Sequence, residues 1–167
     1  FDVAWVALGL VVCVASLVAV PAIAISRVRE AQQPALSAIA YLEGRDDGMH
    51  GAVAWALETL DPERDVVVEA VGESYGNGNR FSSFTGVPTV LGWPGHERQW
   101  RADVRELERR DAVTAIYLGD EVARTRAIRD WGVTYVLVGN AERAAYGSSL
   151  PIARAGWTLA FEDGVTQ

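Results

Sequence analysis

The chain begins with one long apolar run and continues as shorter segments of mixed polarity. No charged residue lies between Val3 and Ile25, and two arginines follow the run. At about 1.5 Å per residue, a helix of this length reaches across a hydrocarbon core of about 30 Å. Ser16 is a lone hydroxyl in this run, whereas a helix buried in a soluble protein would present a polar face. The pattern therefore predicts a transmembrane helix over residues 1–26.

A cleavable signal peptide is the alternative interpretation of the same run. Residues 22–24, Ala-Ile-Ala, have the small-residue form of a cleavage site. The residues before the run carry no cation, however, and the run is longer than the apolar region of a signal peptide, so the transmembrane interpretation is preferred. Arg27 and Arg29 favour a cytoplasmic position for the rest of the chain, although two charges beside Glu30 weigh little.

Beyond residue 26, segments with helical spacing alternate with β-branched segments. Residues 27–48 are predicted to form a connecting helix and a polar turn, and residues 49–167 a soluble α/β domain. Helical spacing or an opening capping residue predicts helices over residues 33–41, 50–60, 102–110, 120–131 and 140–146. Clustered β-branched residues predict strands over residues 66–71, 88–91, 113–118, 133–138 and 157–161.

Strands that alternate with helices at this spacing are typical of an α/β fold. The sequence therefore predicts a small Rossmann-like domain with a mainly parallel sheet and helices on both faces. Folds of this kind bind ligands at the carboxyl ends of their strands. The loops that follow Val71, Leu91 and Val138 are therefore expected to meet at one end of the sheet.

Composition and charge argue against several classes of partner and site. The net charge is −7, and all 15 basic residues are arginines. An acidic domain repels a phosphate backbone, so nucleic acid is not expected as a partner. Cys13 is the single cysteine and lies within the apolar run, so the sequence offers neither a disulfide nor a thiolate metal site.

The sequence carries no complete catalytic motif. The glycine-rich loop at residues 72–78 lacks the spacing of a dinucleotide-binding or phosphate-binding loop, and the chain has no lysine to reach a phosphate. His96 and Glu97 begin like a zinc-protease helix, but Trp100 stands where the second histidine would be required. No serine lies in a nucleophile elbow. We therefore predict no metal site and no catalytic residue, and a structural His–Glu pair remains an open alternative.

Aromatic and charged side chains are concentrated between Arg80 and Arg101. Tryptophan and arginine in one segment suit a sugar or sugar-phosphate ligand, because rings stack and guanidinium groups bind oxyanions. The same composition suits a loop that packs onto membrane helices, or one whose tryptophan belongs to the core. The candidate binding or loop-organising residues are Arg80, Trp93, His96, Glu97, Arg98, Trp100 and Arg101, with Tyr75, Glu142 and Arg143 as secondary candidates.

Residues 86–101, Gly-Val-Pro-Thr-Val-Leu-Gly-Trp-Pro-Gly-His-Glu-Arg-Gln-Trp-Arg, resemble the signature of the YYY family of multi-pass membrane proteins. Further matches lie at residues 67–70, 80–82 and 132–136, so the resemblance extends over residues 36–146. Members of that family carry many membrane helices and end in a domain of this kind. The resemblance therefore implies that the chain is the C-terminal part of a longer protein. The layout of the family is similar to that of GT-C glycosyltransferases, which use polyprenyl-phosphate sugars.

The resemblance implies an integral protein of the plasma membrane with an extracytoplasmic soluble domain, contrary to the weak indication from the flanking arginines. It implies membrane lipid, upstream transmembrane helices and a lipid-linked sugar as partners. It also implies that the catalytic carboxylates, with any divalent metal ion, lie in membrane loops outside these residues. This part would then have no cofactor and no activity alone. The alternatives are a non-enzymatic membrane-anchored scaffold or partner-docking domain, and a nucleotide-binding α/β module.

Overall fold

The structure is a computed structural model of the 167-residue chain. It describes residues 3–30, 39–43, 48–101, 105–148, 150, 154, 156–164 and 166. The chain divides into two compact units, residues 1–37 and residues 38–167. Most of the predicted connecting helix at 33–41 and all of the turn at 44–47 lie outside the described residues.

The described part of the first unit is helix α1, Val3–Glu30. Its span Val3–Arg29 has a mean hydropathy of 2.7, and it is long and apolar enough to cross a membrane. The helix also satisfies its own hydroxyl groups. Ser16 Oγ donates to the Val12 carbonyl, and Ser26 Oγ donates to the Ile23 carbonyl, each at 2.8 Å. Both hydroxyls are therefore paired without water, as an apolar environment requires.

In the second unit, short helices surround a small parallel sheet. The elements in chain order are α2 (Ala40–Glu43), α3 (Met49–Thr59), β1 (Val67–Val68), α4 (Arg80–Thr85), α5 (Pro94–Trp100), α6 (Glu106–Leu118), α7 (Glu121–Asp130), β2 (Tyr135–Val136) and α8 (Asn140–Tyr146). Strands β1 and β2 pair in parallel, with Val67 opposite Tyr135. An isolated parallel bridge joins Val67 to Thr89 on the other side of β1.

The prediction of a Rossmann-like α/β domain is wrong, because helices dominate the described residues and the sheet formed by these residues has two strands. Residues 113–118, predicted as a strand, lie in α6. Their apolar residues also satisfy helical spacing, since Val113, Ile116 and Tyr117 are buried on one face of that helix. Residues 157–161, predicted as the final strand, form neither helix nor strand.

The remaining elements follow the local signals to different degrees. The predicted helix at 120–131 is confirmed as α7, with the Asp120 carboxylate accepting the Ala123 N–H at 2.8 Å. Gly132 ends this helix with a φ of 63°. The segment 92–100, predicted as a loop, contains α5, which Pro94 opens at a position that needs no N–H donor.

Two apolar clusters pack on the two faces of the sheet, and they bury β1 fully and β2 partly. Val67 and Leu137 belong to one cluster, with α3 and α4, whereas Val68 and Val138 belong to the other, with α6. Neighbouring strand residues point to opposite faces, so a strand buried on both faces consists of consecutive apolar residues. This arrangement places the carboxyl ends of β1 and β2 beside the starts of α4 and α8.

Candidate binding site at the carboxyl ends of the strands

The loops that follow β1, Thr89 and β2 meet at one end of the sheet, as the sequence predicts. Asn79 Nδ2 donates to the Leu91 carbonyl at 2.9 Å, which joins the start of α4 to the segment after Thr89. The Ala70 N–H donates to Glu142 Oε1 at 2.8 Å, which joins the segment after β1 to α8. Side-chain hydrogen bonds therefore connect these loops beyond the ends of the short strands.

The loop at residues 72–79 is held in a tight conformation by its glycines. A Cβ atom added at Gly78 would lie 2.6 Å from the Gly72 nitrogen, so these two positions exclude any side chain. Tyr75 and Asn79 have positive φ values of 64° and 61°, a region in which asparagine is tolerated better than most residues. The glycines thus pack against each other rather than framing an open phosphate cradle.

Three rings form an aromatic cluster between this loop and α5. The Trp93 and His96 centroids are 5.2 Å apart, and Tyr75 lies 5.3 Å from Trp93 and 4.8 Å from His96. Trp93 Nε1 donates to the Gly78 carbonyl at 2.9 Å, which fixes the orientation of the indole. Tyr75 is 80 % exposed, so the cluster has one open side.

A cavity of about 280 Å³ lies between α4 and α5. The residues that line it come from both helices and from the segments that precede them: Asn79, Ser82, Ser83, Gly92, Trp93, His96, Glu97, Trp100 and Arg101. The structure thus brings five of the seven main sequence candidates together around one cavity. Arg80 and Arg98 are not among its lining residues, nor are the secondary candidates Tyr75, Glu142 and Arg143.

Two acceptor atoms at the cavity have unused hydrogen-bonding capacity. Asn79 is 3 % exposed, and its Oδ1 has no hydrogen-bond partner among the residues that the structure describes. Glu97 Oε2 lies 3.3 Å from an Arg101 guanidinium nitrogen, but this ion pair lacks the geometry of a hydrogen bond. Gly92 makes room for the carboxylate, since a Cβ there would lie 2.9 Å from Glu97 Oε1.

Arg98 and Arg101, two of the three arginines predicted to bind oxyanions, form ion pairs within the chain. Arg98 binds Glu106, and Arg101 lies beside Glu97. Glu106 also accepts from Arg110 at 3.2 Å. These partners, Arg98 first, lower the pKa of Glu106. The positive charge available to a ligand is therefore smaller than the sequence suggests.

Two buried carboxyl groups lie beneath this end of the sheet, and each is 2 % exposed. Glu69 accepts the N–H groups of Phe81 and Ser82 at 3.1 Å, and Glu142 accepts those of Ala70 and Gly139 at 2.8 Å. Burial raises the pKa of Glu69 to about 7, while hydrogen bonds from Ser82 oppose the shift and the negative charge of Glu142 adds to it.

Burial likewise raises the pKa of Glu142, against the opposing influence of its two backbone N–H donors and of the Arg80 charge. Its carboxylate thus faces backbone donors of the loops and organises them. Sequence analysis did not identify Glu69 as a functional residue. The feature of the sequence that could have identified Glu69 is an acidic side chain inside the β-branched run 66–71. A carboxylate buried in such a run requires hydrogen-bond partners.

Metal binding gains no support from the described part of the chain. Within it, no group of three or more His, Cys, Asp and Glu side chains could hold a metal ion. His96 contacts aromatic rings, and Glu97 pairs with an arginine.

Comparisons of the chain with protein-family models, with curated proteins and with solved structures found no match. The resemblance of residues 86–101 to the YYY family therefore stays a prediction. The geometry of the cavity is the basis for the functional proposal that follows.

Proposed function

We propose that this chain is the membrane-anchored, carbohydrate-binding C-terminal part of a GT-C-like glycosyltransferase that uses a lipid-linked sugar. The observation that supports the proposal is the cavity between α4 and α5, where Trp93, Trp100 and Glu97 lie together. Indole faces pack against the C–H faces of sugars, and carboxylates accept their hydroxyl protons. The part described here binds and positions the sugar, and catalysis belongs to the membrane-embedded remainder of the enzyme.

Helix α1 supports the membrane assignment. It is long and apolar enough to span a bilayer, and its large apolar side chains are exposed in the part of the chain that the structure describes. An exposed apolar surface of this size is stable in lipid and not in water. We propose that α1 is the last membrane helix of the enzyme and that the second unit is extracytoplasmic.

Single substitutions of two tryptophans test the sugar-binding proposal. Trp100 lines the cavity between α4 and α5, whereas Trp157 lines a different cavity. The full chain, in detergent micelles, is titrated with methyl glycosides while its tryptophan fluorescence is recorded. Trp100→Ala is expected to abolish saturable binding without unfolding the protein, because Trp100 is 78 % exposed. Trp157→Ala is the control and is expected to bind as the wild type does. Equal binding by both variants would contradict the proposal.

Membrane topology is tested with engineered cysteines. Thr114→Cys places a thiol on the exposed surface of α6, and the natural Cys13 lies within α1. A membrane-impermeant maleimide added to intact cells is expected to label residue 114 and not Cys13. Labelling of residue 114 only after the cells are broken would place the second unit in the cytoplasm.

A second candidate function, a partner-docking scaffold, is favoured by a larger apolar cavity. This cavity of about 940 Å³ is lined by Trp55, Tyr135, Trp157 and Phe161, among other residues, along β2. Among the described residues, β2 pairs with β1 on one side only, so its other edge is open to a further strand. Under this hypothesis, Trp157→Ala and not Trp100→Ala would reduce co-purification of the membrane-embedded partner. The two tryptophan variants thus distinguish the two functions.

A further inference from the structure

We infer that the cavity between α4 and α5 takes an uncharged, hydroxyl-rich sugar ring and excludes the phosphate group of a sugar-phosphate. This inference rests on the proposed function and adds the chemical class of the ligand. It follows from which hydrogen-bonding groups of the cavity are already used within the protein and which are not.

Several strong donors around the cavity are engaged within the protein. The Trp93 indole N–H is bonded to the Gly78 carbonyl, and Asn79 Nδ2 to the Leu91 carbonyl, both at 2.9 Å. Arg101 lies beside the Glu97 carboxylate. The Ser83 hydroxyl donates its proton to the Asn79 carbonyl at 2.6 Å, which leaves its lone pairs as acceptors.

Two buried atoms of residues that line the cavity have unused capacity, and both are acceptors. Asn79 Oδ1 lacks a hydrogen-bond partner in the described residues, and Asn79 is 3 % exposed. A buried acceptor without a partner destabilises the protein, so a ligand that supplies a donor there gains affinity. Glu97 Oε2 is the second such atom. A polyol supplies several O–H donors at once, whereas phosphate oxygens would face acceptors that repel them.

Charge leads to the same conclusion. Arg101 is the one arginine that lines the cavity, and the Glu97 carboxylate 3.3 Å away offsets its charge. Arg98, two residues before Trp100, binds Glu106 instead. A phosphate dianion would therefore meet a nearly neutral site in a chain of net charge −7.

Size and shape define the sugar as a single ring. The cavity of about 280 Å³ is slightly smaller than the range of roughly 300–1,000 Å³ that is typical of small-molecule sites. Trp93 and Trp100 border it, and the largely exposed Trp100 ring is free to stack on the ligand. One ring with its hydroxyl groups directed at Asn79 and Glu97 satisfies both features.

The test compares neutral and phosphorylated forms of the same sugars on the full chain in micelles. The probes are the methyl glycosides of glucose, galactose, mannose and N-acetylglucosamine, and the corresponding 1-phosphates, studied by calorimetry at low and high salt. At least one methyl glycoside is expected to bind more tightly than its 1-phosphate. Its affinity should not change with salt, because no ion pair with the ligand is formed.

Two variants identify the acceptors. Glu97→Gln keeps the side-chain shape and is expected to weaken methyl glycoside binding about tenfold, because a neutral acceptor replaces a charged one. Asn79→Gly removes Oδ1 while retaining a residue that accepts the φ of 61°. It is expected to weaken binding to a similar degree, and circular dichroism confirms that each variant is folded.

The outcomes separate this inference from the proposed function. Tighter binding of a 1-phosphate, weakened by salt and by Arg101→Gln, would overturn the neutral-sugar inference and leave the carbohydrate function in place. Unchanged methyl glycoside binding by folded Glu97→Gln and Asn79→Gly would also overturn it. Binding of none of the eight probes by the folded wild type would overturn the proposed function itself.

Discussion

The carboxyl ends of the strands and the α6–α7 surface use charged side chains in opposite ways. At the strand ends, Glu69 and Glu142 are each 2 % exposed and accept backbone N–H groups of neighbouring loops. On α7, Arg126 and Asp130 form an ion pair 3.4 Å long, with side chains 77 % and 45 % exposed. The first region uses carboxylates to hold the chain together, whereas the second keeps its charges in water.

The difference shows what two-residue strands require. Strands β1 and β2 end after Val68 and Val136. The Leu137 N–H still bonds to the Val68 carbonyl, but the Ala70 and Gly139 N–H groups donate to the Glu142 carboxylate instead of to a strand. The Tyr117 hydroxyl lies against the Val68 and Leu137 carbonyls, and Glu69 accepts the first N–H groups of α4. Stability should therefore respond strongly to changes at the strand ends and weakly to changes on α7.

The largest effect is expected for Glu142→Ala. The change removes the acceptor for the Ala70 and Gly139 N–H groups. Each buried donor left unpaired costs roughly 1–3 kcal/mol, so we expect the free energy of unfolding to fall by about 4 kcal/mol. Urea unfolding of the chain in micelles, followed by circular dichroism, measures it. Glu142→Gln keeps one acceptor oxygen and should lose about half as much. A loss no larger than that of a surface variant would contradict the comparison.

The next largest effect is a dependence of the free energy of unfolding on pH that results from the titration of Glu69. Its pKa is about 7 in the folded protein against 4.5 ordinarily, so folding favours the protonated carboxyl group. The stabilising contribution is fully present below pH 4.5 and is lost as the pH rises through 7, by about 3 kcal/mol in total.

Unfolding free energies at pH 5 and pH 8, for the wild type and Glu69→Gln, isolate this contribution of Glu69. The wild type should lose more stability than the variant between the two values. Because burial also raises the pKa of Glu142, a smaller slope of the same sign should persist in Glu69→Gln. Parallel profiles for the two proteins would show that Glu69 does not titrate in this range.

A smaller effect is expected for Tyr117→Phe. The Tyr117 hydroxyl lies 3.0 Å from the Val68 carbonyl oxygen and 2.8 Å from that of Leu137, and it links the ends of both strands. Its removal should cost about 1–1.5 kcal/mol, measured by the same urea unfolding. Tyr135→Phe removes a hydroxyl that makes no hydrogen bond among the described residues, so it is the matched control and should cost less. An equal or larger cost for Tyr135→Phe would contradict the linking role of Tyr117.

The smallest effect is expected for Arg126→Ala on α7. The change breaks an exposed ion pair with Asp130, which typically contributes less than about 0.5 kcal/mol. Thermal unfolding at low and high salt should show a midpoint close to that of the wild type in both. A loss as large as that of Tyr117→Phe would remove the distinction between the two regions.

The elements that the sequence predicted correctly depend on local signals. A long apolar run predicts α1 without any knowledge of packing, because length and lack of charge are properties of the segment itself. Asp120 at the start of α7 and Gly132 after its end are local backbone signals, and the structure confirms both. The concentration of aromatic residues at 93–100 likewise identified much of the cavity lining before the fold was known.

Only the tertiary structure decided the fold class and the chemistry of the cavity. The residues at 113–118 satisfy both strand and helix patterns, and packing of Val113 and Ile116 against the sheet selects the helix. Arg98 looks like an anion ligand in the sequence, yet the fold brings Glu106 to its guanidinium group. The buried side chains of Asn79 and Glu69 have hydrogen-bond partners that lie 12 residues away in the chain. Burial and charge pairing arise from such long-range contacts, so a linear pattern identifies the residue types of a site and not their final partners.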